Sequence, residues 1–142
     1  MESINTIQDE LIADFELFDN WADKYEYIID LGKTLPEMDP QYKTEENRIH
    51  GCQSKVWLNA YHENDKVFFD ADSDAFITKG IIGLLLKVLS GHSADEILNA
   101  DLYFIDKTGL QAHLSPTRAN GLASMVKQLK AYALGFSSKE VK

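Results

Sequence analysis

Apolar residues near the start of the chain recur every three or four positions, the spacing of one face of an α-helix. The pattern extends from Ile4 to Phe18 and predicts an amphipathic helix over residues 4–18. A second stretch of the same kind follows Asn20, whose side chain suits the N-cap position, and Gly32 is its predicted end. The chain is therefore predicted to begin with two amphipathic helices.

The hydrophobic pattern changes twice in the next part of the chain. Residues 33–52 contain two prolines, many charges and no clean period, so they predict a long ordered loop. The β-rich runs SKVWLNAY and KVFFDAD follow, separated by the short polar segment HEND. Two such runs with a short polar connection predict an antiparallel hairpin.

The segment DAFITKGIIGLLLKVLS is apolar on nearly every side, which predicts a buried central helix. Ser73 is its predicted N-cap and Gly91 its predicted end. Gly80 and Gly83 fall on one face of this helix. Because glycine costs a helix roughly 1 kcal/mol relative to alanine, close packing of another backbone would explain their presence.

Capping signals dominate the last third of the chain. Ser93 and Glu96 form a capping box that predicts the short helix ADEILN. Residues 101–114 predict a short helix plus loop. The Ser-Pro pair at 115–116 predicts the start of a final helix, and Gly135 is its predicted end.

These elements predict an α+β fold in which several helices pack on a small antiparallel β-sheet. The 142 residues suit one domain, taken as 1–142. The N-terminus lacks the basic region of a signal peptide, and the longest apolar run is too short to cross a bilayer. A net charge of −9 argues against nonspecific binding to nucleic acid or anionic membranes. We therefore expect a cytoplasmic protein with neither nucleic acid nor membrane as a partner.

Cys52, at the end of the predicted loop, is the only cysteine in the chain. One thiol cannot form an internal disulfide, is too few to hold an iron–sulfur cluster, and lacks a second ligand at metal-binding spacing. We therefore expect no metal site. A buried, inert thiol is the common state of such a residue.

The neighbours of Cys52 nevertheless favour reactivity. Gly51 permits unusual backbone angles, and Gln53 and Ser54 are polar donors rather than core residues. Cations lower the pKa of a thiol and increase its nucleophilic thiolate form. Three cationic or titratable side chains lie within four positions: Arg48, His50 and Lys55. On the residues alone, an inert and a reactive thiol are equally supported.

Three functions are compatible with this pattern. A cysteine hydrolase would pair Cys52 with one of the four histidines, although no peptidase signature surrounds the cysteine. A persulfide carrier would attack the outer sulfur of a partner's persulfide, which requires neither a second cysteine nor a metal. In a pure binding protein the thiol would be incidental.

The segment RIHGCQSKVWL resembles the signature of the SufE/CsdE sulfur-acceptor proteins. Four further blocks occur in the same order as in that family: LGKTLPEMD, ADSDAFITKGIIGLLL, SGHSADEIL and GLQAHLSPTRANGL. The resemblance implies a fold similar to the NifU/IscU-type scaffolds, in which Cys52 accepts sulfane sulfur as a persulfide. It implies an accessory sulfur carrier rather than a stand-alone enzyme. Such a carrier stimulates a PLP-dependent cysteine desulfurase and supplies an iron–sulfur cluster scaffold complex.

The resemblance also implies which residues surround the thiol: Gly51, Gln53, Ser54, Asp74, Arg118 and Asn120. Arg48, one of only two arginines in the chain, completes the predicted set of seven supporting residues around Cys52. The implied PLP belongs to the desulfurase, so no cofactor is expected on this chain. His50 fills a position that varies in the family and receives no catalytic role. The sequence leaves the oligomeric state open, a homodimer included.

The final helix carries an independent sign of a functional position. Arg118 falls in its predicted first turn, where a cation opposes the helix dipole. Asn120 and Gly121 follow and are poor helix formers. Local costs of this kind are often found at functional sites.

Overall fold

The computed structural model describes residues 2–140, with side chains to residue 137. Within that range the chain forms six α-helices, one two-stranded antiparallel sheet and two short 3₁₀ helices, Pro40–Tyr42 and Gln111–His113; the latter are not numbered with the α-helices. In chain order the α-helices and strands are α1 (Ile4–Glu16), α2 (Trp21–Lys33), β1 (Val56–Glu63), β2 (Lys66–Ser73), α3 (Phe76–Leu89), α4 (Ala94–Asn99), α5 (Phe104–Lys107) and α6 (Pro116–Glu140). The predicted α+β class is confirmed. None of the described helices is long and apolar enough to cross a membrane.

The two strands pair as the predicted hairpin, with Val56 opposite Ser73. Asn64 and Asp65 form its turn, with φ angles of 52° and 62°. A two-residue turn with two positive φ angles matches the right-handed twist of the strands, and asparagine and aspartate tolerate that conformation better than most residues. The turn therefore contains two residues, fewer than the four of the segment HEND.

Helix α3 is buried on almost all sides and packs against α2 and β2. A Cβ on Gly80 would lie 2.6 Å from Ile28 Cγ2, and one on Gly32 would lie 2.7 Å from the Gly80 backbone nitrogen. The two helices therefore touch backbone to backbone, which confirms the close packing predicted at Gly80. At Gly83 the added atom would meet only ordinary contacts, the nearest at 3.5 Å.

Predicted helix boundaries are wrong at Gly32, Ser73 and Gly135, and α1 ends at Glu16 rather than at residue 18. Gly32 does not end α2, which continues to Lys33, because this glycine is needed for the contact with α3. Ser73 belongs to β2; its hydroxyl accepts from the Ala75 N–H, and α3 begins without a side-chain cap. Gly135 lies inside α6, where a single glycine costs roughly 1 kcal/mol and does not stop the helix.

Other local signals were predicted correctly. Ser93 and Glu96 form both hydrogen bonds of the capping box at the start of α4. The Ser115 hydroxyl accepts from the Arg118 N–H at 3.3 Å, at the predicted start of α6. Both signals act within one helical turn, so they do not depend on the rest of the fold.

Helix α1 is fixed to the end of the molecule that holds α5 through Gln8, whose side chain is fully buried. Its amide nitrogen donates to the Asp101 carbonyl at 3.0 Å, and its amide oxygen accepts from the Phe104 N–H at 3.1 Å. A buried amide with both ends hydrogen-bonded leaves neither its nitrogen nor its oxygen unsatisfied in the core.

Candidate functional site

A cavity of about 340 Å³ lies where the loop before β1 meets α3 and α6. The loop contributes residues 52–54, and the turn before α3 contributes Asp74. Thr78 projects from α3, and Arg118 and Gly121 from the first turns of α6. The cavity therefore gathers side chains from three segments that are far apart in the sequence.

Cys52 is half-buried in the wall of this cavity. Its thiol lies 3.7 Å from the Gly121 carbonyl oxygen, to which the S–H can donate. A Cβ on Gly121 would lie only 3.2 Å from Sγ, so glycine lets the helix approach the sulfur. Burial raises the pKa of the Cys52 thiol. At neutral pH the resting group is therefore the protonated thiol.

The sequence left an inert and a reactive thiol equally supported, and the raised pKa makes the thiol less reactive in this resting structure. Arg48 pairs with Glu45 at 3.5 Å and forms a backbone bridge with Trp57, and it does not line the cavity. His50 and Lys55 are exposed and also lie outside the cavity lining. Closeness in sequence did not place these charges beside the sulfur.

Gly51 holds the entry to the cysteine loop against α6. Its φ of +93° is a conformation that other residues rarely adopt, and an added Cβ would lie 2.5 Å from Ser124 Oγ. A side chain at this position is therefore disfavoured by the backbone angle, and the Ser124 hydroxyl would have to rotate away from it.

The exit of the loop is tied to the start of α3. The Ser54 and Thr78 hydroxyls lie 2.9 Å apart. The Lys55 N–H donates to Asp74 Oδ1 at 2.9 Å, and the Asp74 N–H donates to the Lys55 carbonyl at 3.2 Å. The sequence suggested that Asp74 lies in the first turn of α3, but Asp74 precedes this helix. Its carboxylate stabilises the loop end instead of the helix terminus.

The structure brings five of the eight predicted residues to the cavity: Cys52, Gln53, Ser54, Asp74 and Arg118. Gly51 supports the loop from the side of Ser124. Arg48 and Asn120 do not line the cavity. The roles of all eight in function stay predictions.

Several lining residues were not among the predicted site residues, notably Thr78, Ile81, Thr117, Gly121 and Met125. Ile81 and Met125 look like ordinary core positions of amphipathic helices, so the sequence carries no signal for them. Gly121 does carry a signal in the sequence, because glycine is unfavourable in the second turn of a helix and its presence there calls for an explanation. That explanation is the approach to Cys52.

All four histidines lie in the described part of the chain, and none lines the cavity. His92 is buried, with Nε2 2.9 Å from the Glu2 carbonyl oxygen. His113 stacks on Trp21 at 3.9 Å between ring centroids. Among the described residues, no group of three or more histidine, cysteine, aspartate and glutamate side chains could hold a metal ion.

Comparison with known proteins gives one family. The model of SufE, described as an Fe-S metabolism associated domain, matches residues 9–133. The chain is 43% identical over 135 residues to an uncharacterized SufE-like protein of Rhizobium meliloti (strain 1021), covering 92% of this chain and 96% of that protein.

A second relative and a solved structure agree with this match. SufE-like protein 1, chloroplastic/mitochondrial, of Arabidopsis thaliana is 40% identical over 131 residues, covering 92% of this chain and 35% of the plant protein. The solution structure of a hypothetical protein from Thermus thermophilus superposes with a TM-score of 0.75 at 23% identity. That match covers 91% of this chain and 94% of the other, and it supports the fold alone.

Proposed function

The chain belongs to the SufE family, whose domain is associated with Fe-S metabolism, and on this ground we propose that it carries sulfur. Cys52 takes sulfane sulfur from a PLP-dependent cysteine desulfurase as a persulfide. The chain thereby stimulates the desulfurase and delivers the sulfur to the scaffold complex of iron–sulfur cluster assembly. The observation that carries the proposal is a half-buried lone thiol facing a cavity of about 340 Å³.

The transfer forms one sulfur–sulfur bond and breaks another. The Cys52 thiolate attacks the outer sulfur of a persulfide on the partner's cysteine, forming a new S–S bond. The original S–S bond breaks, and the partner's cysteine leaves with the electron pair as a thiolate. The proton of the resting Cys52 thiol goes to solvent. PLP chemistry, which makes the first persulfide, belongs to the partner.

The cavity supports both the protection of the empty thiol and the shielding of the sulfur that it carries. The raised pKa keeps the Cys52 thiol protonated while it carries no sulfur, and a protonated thiol reacts slowly with oxidants. Ile81 and Met125 give the cavity apolar wall against which an outer sulfur can be shielded. Docking must then move the sulfur away from the Gly121 carbonyl oxygen, because that acceptor favours the S–H form.

No observation favours a cysteine hydrolase. Such an enzyme needs a base within hydrogen-bond reach of the thiol, held by a third group. The hydrogen-bond acceptor of Cys52 is the Gly121 carbonyl oxygen, and the described histidines lie elsewhere. A single unpaired cysteine fits a reducing compartment, and the proposed location is the cytoplasm.

Mass spectrometry tests the proposal. After incubation with desulfurase, PLP and cysteine, Cys52 should gain roughly 32 Da per sulfur, and reductant should remove the gain. Cys52→Ser should abolish the adduct and the stimulation of the desulfurase, while the free energy of unfolding changes by less than about 1 kcal/mol. His50→Ala, at an exposed neighbour outside the cavity, is the matched control and should retain both activities. Absence of the adduct with unchanged desulfurase turnover would contradict sulfur transfer.

A further inference from the structure

The cavity holds two opposite charges in addition to the thiol. Asp74 and Arg118 both line it, and both side chains are exposed. Asp74 uses Oδ1 to accept from the Lys55 N–H, which leaves Oδ2 without a hydrogen-bond partner in the described part of the chain. The Arg118 guanidinium likewise makes no ion pair with any described residue. A cation and an anion are therefore both available to a ligand beside Cys52.

A ligand that matches all three groups carries a carboxylate, an ammonium and a sulfur atom. Arginine binds a carboxylate through two parallel hydrogen bonds, and the free Asp74 oxygen can accept from an ammonium. A cysteine inside a polypeptide offers neither charge, because its amino and carboxyl groups are in peptide bonds. The volume of about 340 Å³ lies at the low end of the range of roughly 300–1,000 Å³ for small-molecule sites.

We propose that this cavity binds free cysteine and that persulfidated Cys52 passes its outer sulfur to the bound amino acid. This inference rests on the proposed function, since it requires the Cys52 persulfide. It adds a small molecule to the proteins that accept sulfur from Cys52. Asp74 and Arg118 orient the amino acid so that its sulfur faces the outer sulfur of Cys52.

The step conserves atoms and electrons. Free cysteine loses its thiol proton to solvent, and its thiolate attacks the outer sulfur of the Cys52 persulfide. An S–S bond forms in the amino acid while the bond from Cys52 Sγ breaks. Cys52 leaves as a thiolate and takes a proton from solvent, and the product is cysteine persulfide. No other oxidant or reductant takes part.

The two enantiomers of cysteine provide the sharpest test. L-cysteine and D-cysteine have the same thiol pKa and the same intrinsic reactivity, so a rate difference reports binding in a chiral site. Protein loaded by the desulfurase is freed of desulfurase and excess cysteine, and loss of the adduct is followed by mass spectrometry. We expect L-cysteine to discharge Cys52 about two- to fivefold faster, the size expected of contacts between exposed charges.

Variants assign that difference to the two charges. Arg118→Gln and Asp74→Asn should each bring the ratio of L to D rates towards one. Asparagine keeps the oxygen that accepts from the Lys55 N–H, so the loop end stays tied. His50→Ala should retain the wild-type ratio. Equal rates for the two enantiomers with the wild-type protein would overturn the inference.

A binding measurement separates this inference from the proposed function. L-serine carries the same charges as cysteine but cannot exchange sulfur, so it is titrated into the unmodified protein and followed by NMR. We expect saturable shifts at the amides of Gln53 and Thr117, and weaker shifts with D-serine. If the desulfurase forms no adduct, this titration still tests the cavity. If the adduct forms but L-serine causes no saturable shifts, free cysteine is not the ligand and sulfur transfer between proteins stands.

Discussion

The substitution Gly121→Ala separates the stability of α6 from the position of the Cys52 thiol. The new Cβ would lie 3.2 Å from Sγ, whereas nonbonded contacts between carbon atoms are most favourable at about 3.5–4.0 Å. The sulfur must therefore shift by a few tenths of an ångström. Alanine in place of glycine also stabilises a helix interior by roughly 0.5–1 kcal/mol. The two effects oppose each other in the free energy of unfolding.

We expect the Gly121→Ala variant to unfold with a free energy within about 1 kcal/mol of the wild type. The chemistry of the thiol should change more. A displaced Cys52 loses part of the burial that raises its pKa and part of its contact with the Gly121 carbonyl. The rate of iodoacetamide alkylation at pH 7 should rise. The midpoint of its pH profile should fall towards the value near 8.5 of an unperturbed cysteine, with about tenfold more thiolate for each unit.

Gly135→Ala is the matched control, because it makes the same change in the same helix. There an added Cβ meets no atom of the described residues within 4 Å. We expect a gain of roughly 0.5–1 kcal/mol in the free energy of unfolding and an unchanged alkylation profile. If Gly121→Ala leaves the rate and midpoint unchanged, or Gly135→Ala alters them equally, contact with Gly121 does not hold the thiol in its resting state.

Three further outcomes are expected. Gly80→Ala should lower the free energy of unfolding in urea by about 3 kcal/mol, because its Cβ would lie 2.6 Å from Ile28 Cγ2. Gln8→Leu should cost about 2 kcal/mol in the same assay, since the Phe104 N–H loses a buried acceptor. Alkylation of wild-type Cys52 should have a higher pH midpoint in the native than in the urea-unfolded protein, because burial raises its pKa. The stability from this shift is present below the unfolded midpoint and is lost as pH rises through the folded one.

Each outcome has its own check. Gly83→Ala, where the nearest contact of the new atom is 3.5 Å, should change the free energy of unfolding by less than about 1 kcal/mol. A loss as large as that of Gly80→Ala would argue against tight packing as the cause. Asn5→Ala, at an exposed partner of the Gln8 amide, should cost less than Gln8→Leu. Equal midpoints for the native and unfolded thiol would contradict the effect of burial.

Local signals in the sequence were sufficient where both partners lie within one turn. The Ser93–Glu96 capping box is an example, and so is the polar turn at Asn64 and Asp65. The errors at Gly32 and Ser73 have a shared physical cause. Each residue is suited both to the end of a helix and to another contact. The residue that it meets in the folded protein determines which of the two roles it has.

The candidate site shows the same division. The family resemblance named Asp74 and Arg118, and both line the cavity with Cys52. Arg48 and Asn120 were also predicted to support the site, and neither lines the cavity. Neither composition nor spacing indicates where a long side chain will point, so residues in one sequence block can face different parts of the molecule.

The sequence by itself determined that one thiol must do whatever sulfur chemistry the chain performs, and it placed the chain in its family. Only the tertiary structure decided the state of that thiol. Its hydrogen-bond acceptor, the Gly121 carbonyl oxygen, is 69 residues away in the chain, and burial in the folded protein raises the pKa of Cys52. A pKa depends on every group that displaces water from the sulfur, and those groups come together only when the chain folds.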